Sequence, residues 1–208
     1  MIQAISIERE FGSGGGTIAK KLAGRLGWTL WDDAITKEIA GRLNCDVRSV
    51  EQREEKPDSA FYRLVKIFMR GSYEDRYSGS GTELLDAENL SRIFESLITD
   101  VANRGPCVIV GRAAPYFLRE RKDVLRLFLY APPAEKLRRL LEIGKSEEEA
   151  DSLLETVDRD RAAFIKQYYN KTWPLREIYH MMINSEIGDE AVIEMILHEI
   201  EVLNRLRL

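Results

Sequence analysis

The chain has 208 residues, is 44% hydrophobic and 32% charged, and carries a formal net charge of −4. That is enough chain for one full core with the composition of a soluble globular protein, and the acidic balance speaks against a general nucleic-acid-binding surface. No apolar run reaches the roughly 18 residues of a membrane span. Cys45 and Cys107 stand far apart without metal-type spacing, which predicts a reduced, cytoplasmic protein.

Residues 2–7 read as a buried strand rather than a secretion signal. A glycine-rich loop follows, with Gly12, Ser13, Gly14, Gly15, Gly16 and Thr17 leading into a helix over 17–26. Dense glycine lets the backbone approach a ligand closely, and the exposed N–H groups of a helix N-terminus attract phosphate. The pattern G-x-x-x-x-G-K-[ST] should carry a lysine, and none precedes Thr17. Thr17 is expected to be the hydroxyl that meets Mg²⁺, and Arg9, read as part of the loop, is the local cation; its alternative is a surface pair with Glu8 or Glu10. A dinucleotide fingerprint fits less well, since Gly12-x-Gly14-x-x-Thr17 lacks a third glycine and 8–11 separate the loop from the strand.

Next come a strand at 28–31 and a helix at 34–43; Asp32 between them is either a ligand contact or a helix cap. Residues 44–82 are charged, helical in pattern, and end in a glycine- and serine-rich stretch. A helix at 83–103 leads to a strand at 107–110, after which Arg112 stands where open α/β sheets bind ligands. A strand at 124–130 and a helix at 134–142 follow; Arg138 and Arg139 on that helix read as a solvated end. Within the charged insertion at 144–176, a helix over 147–168 carries the apolar stripe Leu154, Val157, Phe164, Ile165 and Tyr168. Arg161 falls on that stripe with Arg159 close by, so it needs an anionic partner: a phosphate, or Asp158 one turn away. A strand at 179–183 and a helix at 189–206 complete the alternation, which predicts one α/β domain over 1–208 with a parallel sheet covered on both faces. The two insertions suggest flaps that close over substrates. His180 and His198 are too scattered for a metal site, and no nucleophilic triad is readable.

Taken together, ISIEREFGSGGGTIAKKLAGRLG, VIVGRAAPYFLRERKDVLRLFLYAP, VDRDRAAFIKQYYNKTW and INSEIG, in that order, resemble the cytidylate kinase-like family over nearly the whole chain. The resemblance implies a phosphate-loop kinase core of five parallel strands, an acceptor-binding insertion at about 44–82 and an arginine-bearing lid at about 144–176. It implies ATP and Mg²⁺ as cofactors, with residues 12–17 on the donor phosphates, Arg112 on the acceptor, and Arg159 and Arg161 closing from the lid; Asp32 is a further acceptor contact by position alone. The expected activity is phosphoryl transfer to a small acceptor, CMP or dCMP foremost. Departures from true cytidylate kinases are Gly15 at the lysine position, Arg9 at the first loop glycine, and Val110 and Ala113 where aspartates flank the Gly-Arg pair. Those departures leave open a nucleotide sensor or remnant kinase without catalysis; an NAD(P)-binding oxidoreductase is the other alternative. The oligomeric state, a homo-oligomer included, is not fixed by the sequence.

Overall fold

The computed structural model describes residues 1–32, 35, 38 and 87–206, excluding the side chains of 87–91, 164 and 167–169. The expected acceptor insertion at 44–82 lies outside the described residues, as does nearly all of the helix expected at 34–43. Strands β1 (Ala4–Arg9), β2 (Thr29–Trp31), β3 (Cys107–Val110), β4 (Val124–Tyr130) and β5 (Met181–Asn184) form one parallel sheet ordered β2-β3-β1-β4-β5. Helices are α1 (Gly15–Leu26), α2 (Ala87–Asn103), α3 (Ala114–Phe117), α4 (Pro133–Glu142), α5 (Glu147–Tyr169) and α6 (Asp189–Leu206).

Alternation along the central strand sorts two cores. Ile5 and Ile7 of β1 pack with Ile18 and Leu22 of α1 and Val192, Ile193 and Ile196 of α6. On the other face Phe128 of β4 packs with Phe94 and Leu97 of α2, Tyr116 of α3, and Tyr179. Both faces are therefore covered, as a parallel sheet requires. Within α1, Ile18, Ala19, Leu22 and Ala23 are buried and Leu26 is partly buried, while Lys20 and Lys21 are exposed.

Two boundaries shift in ways that matter. Helix α1 starts at Gly15, within the glycine run rather than after it. Strand β1 runs two residues beyond the expected end, because Glu8 and Arg9 continue the ladder opposite Phe128 and Leu129 of β4. Arg9 is thus the last residue of the central strand and not part of the loop. The strand order also sets the dinucleotide reading aside, since β3 separates β2 from β1, whereas a Rossmann sheet places those two side by side.

Candidate functional site

The central strand delivers the glycine loop to the carboxyl-end rim of the sheet, where ligands of open α/β sheets bind. Gly12 and Gly14 both take a φ of 76°, a left-handed conformation natural to glycine. No side chain caps α1, and its first turn holds no acidic residue. The first amides of a helix have no intrahelical partner, so this end suits an anion. With Gly15 at the lysine position, the residue directly after it is Gly16, and Thr17 stands third in the helix and half-buried.

Neighbouring elements grip the loop from both ends. Asp158 of α5 accepts the Phe11 N–H with both carboxylate oxygens, at 2.9 and 3.1 Å. Arg161 Nη1 donates to that carboxylate at 2.8 Å and to the Arg9 carbonyl at 2.9 Å. Lys136 of α4 pairs with Glu10 at 2.5 Å and lies 3.9 Å from Asp158. At the far end, the buried Ser185 Oγ donates to the Ser13 carbonyl at 2.7 Å. Arg139 lies against Gly14, held by Glu135 at 2.7 Å, Asp189 at 2.9 Å and the Ser185 carbonyl at 3.2 Å. A Cβ on Gly12 would come within 2.9 Å of Lys136 Cβ, and one on Gly14 would overlap Arg139 Nη1. The loop glycines therefore also make room for the protein's own cations.

Positive charge gathers beside this loop. Arg9, Arg112 and Arg161 are all buried, with Glu8 among them, 3.9 Å from Arg9. Burial pushes the Glu8 carboxyl above its ordinary range, against the opposing pull of Arg9, Arg161 and Arg112. For Arg161 burial, then repulsion from Arg9, weakens the hold on its proton, while Asp158 and Glu8 favour the charged form. Burial, followed by the charge of Glu8, raises the phenols of both Tyr116 and Tyr179. Past β3, Gly111, Arg112 and Ala113 have φ values of 66°, 59° and 55°. Left-handed backbone at two successive non-glycine residues costs about 1–3 kcal/mol each, and such strain concentrates at functional sites.

The structure therefore brings Arg9, Arg112, Arg161 and residues 12–17 to one end of the sheet. Asp32 is buried just past β2 at the same end. Arg159 is not brought in. Its side chain is 72% exposed beside Asp160, because two helical positions turn it roughly 200° from Arg161. Arg138 does face solvent between Glu135 and Glu142, as expected, but Arg139 points inward. Glu8, Lys136 and Ser185 belong to the site as well, and the sequence does not mark them. Only their tertiary neighbours single them out, although Glu135 four residues before Arg139 was a readable pairing signal. Among the described residues no three His, Cys, Asp or Glu side chains cluster as a metal site, and no helix is long and apolar enough to cross a membrane.

Residues 4–187 match the family model described as the cytidylate kinase-like family. The fold is similar to that of an uncharacterized protein from Eubacterium ventriosum, with 21% identity over 97% of this chain and 99% of the other, at a TM-score of 0.68. It is also similar to shikimate kinase from Acinetobacter baumannii in complex with shikimate, with 16% identity over 97% and 94% of the chains and a TM-score of 0.51. Shikimate kinase from Bacteroides thetaiotaomicron gives 18% identity over 95% and 98%, also at 0.51. No protein among those with curated descriptions matches significantly.

Proposed function

The chain belongs to the cytidylate kinase-like family, and from that premise we propose that it transfers a phosphoryl group from ATP to a small acceptor, CMP or dCMP foremost. The observation that carries the reading is the uncapped N-terminus of α1, reached through a glycine loop at the carboxyl end of the central strand and flanked by buried arginines. Phosphoryl transfer asks a protein mainly for in-line positioning and charge neutralisation, and these are what such a site can offer.

When bound, ATP would supply the transferable phosphoryl group, and Mg²⁺ would neutralise the charge on its phosphates. The amide-rich, acid-free start of α1 fits those phosphates. Magnesium keeps several waters and takes few protein ligands, and Thr17, half-buried in the first turn of α1, is the hydroxyl we assign to it. Residues 12–17 hold the donor phosphates. Arg161, fixed by Asp158 and the Arg9 carbonyl, adds charge beside the loop, and Arg9 adds charge from the strand. Arg112 and Asp32 face the acceptor in this reading. Arg159, exposed to solvent, takes no part.

The test is transfer of labelled γ-phosphate from ATP across nucleoside monophosphates and non-nucleotide alcohols. Labelled product with CMP or dCMP is the expected result. A second reading, a nucleotide-binding protein without catalysis, draws on Gly15 in place of lysine and Val110 in place of an acid. Tight ATP binding by calorimetry with no transfer to any acceptor would favour it over the kinase.

A further inference from the structure

The missing loop lysine has a structural explanation. Gly15 lies inside α1, and its φ is outside the left-handed region, so the backbone there does not ask for glycine. Glycine is also a poor helix former. What forbids a side chain is Arg9: a Cβ on Gly15 would sit 2.8 Å from both Cβ and Cγ of Arg9. Further out, the same arginine lies against a second glycine, for a Cβ on Gly111 would overlap Arg9 Nη1. The Arg9 side chain thus leaves the end of β1, crosses beside the first residue of α1, and reaches the end of β3 over a path kept clear by two glycines. It remains buried throughout.

We propose that Arg9 is the phosphate-loop lysine relocated: the strand supplies the cation, and Gly15 is glycine because Arg9 occupies the space a residue-15 side chain would need. A cation at 9 and a side chain at 15 are alternatives that exclude each other. Arginine suits the strand position because it stays charged when buried, whereas lysine loses its proton more readily there. The inference rests on the phosphate-binding reading above for the ligand, and on geometry alone for the exclusion.

Four variants test it: Arg9→Ala, Arg9→Lys, Gly15→Lys, and the double variant Arg9→Ala with Gly15→Lys. The readouts are thermal midpoint without ligand and calorimetric binding of ATP and of inorganic tripolyphosphate. Gly15→Lys alone should lower the midpoint by about 5 °C through overpacking, and the double variant should recover it. Arg9→Ala should weaken both ligands on the order of 10- to 100-fold, the worth of a charge-assisted contact. Arg9→Lys should weaken them less, and the double variant should regain much of the affinity through its lysine. An unchanged midpoint in Gly15→Lys would overturn the exclusion. Undiminished binding by Arg9→Ala, in a variant that still melts cooperatively, would overturn the charge role. A wild-type chain that binds neither ligand would overturn the kinase reading and the phosphate half of the proposal together, while the thermal arm would still decide the exclusion.

Discussion

Arg161 carries a guanidinium into a helix face whose other members, Val157 and Ile165, are apolar and buried. Its two acceptors, Asp158 and the Arg9 carbonyl, fix it against the root of the glycine loop. Arg161→Ala should lower turnover on the order of 10³-fold, the scale at which arginines act in phosphoryl transfer; steady-state kinetics at saturating ATP check this, and unchanged turnover would remove Arg161 from the mechanism. This residue was legible in the sequence, because a charge interrupting an apolar period is visible without coordinates. Arg9 was only half legible. Its charge and nearness to the loop were plain, but its place on β1 comes from pairing with Leu129, far along the chain. Gly12 gives a stability prediction at the same scale. Its φ of 76° and its approach to the Lys136 backbone mean that Gly12→Ala should cost on the order of 2–3 kcal/mol in chemical denaturation. Gly24 is the control, exposed in α1 with open space where a methyl group would go: Gly24→Ala should gain about 0.5–1 kcal/mol.

Among elements, α4 and α5 act on the loop as a pair. Lys136 and Arg139 of α4 hold Glu10 and lie against Gly14, and α5 adds Asp158 and Arg161. The middle turns of α5, within the insertion expected to be a lid, are therefore tied to the residues that lead into the glycine loop. Glu135 is one of the three groups that hold Arg139, and its carboxyl is held down to about 2, by bonding to Arg138 first and also to Arg139, against the opposing effect of burial. A depressed folded value means that its stabilisation is present above the unfolded value of 4.5 and is lost as pH falls toward about 2. Thermal midpoints should drop across that window, and Glu135→Gln should flatten the drop; an identical slope in the variant would dismiss the clamp. The helices α1, α4, α5 and α6 were legible in the apolar period. The inward turn of Arg139 was not, since α4 buries only Leu140 fully and its face is set by its partners.

At the scale of the molecule, alternating strands and helices predicted the parallel sheet, but the strand order and the interior position of Glu8 come only from assembly. Because loop, α4 and α5 are joined by hydrogen bonds, a bound nucleotide should protect their amides together. Hydrogen exchange with and without ATP should slow residues 10–18, 136–142 and 154–161 as one group, and protection confined to the loop would contradict that coupling. The central position of β1 has a further consequence, one of timing. Residue 4 meets residues 107 and 124, and the loop is closed from its far side by Ser185. As the chain is synthesised, β1 emerges before both of its neighbours, β3 and β4, and this non-local pairing slows folding and leaves a sticky edge exposed. The candidate site is thus begun at β1 and closed only by Ser185, so a nascent chain completes it only after β5 has been made.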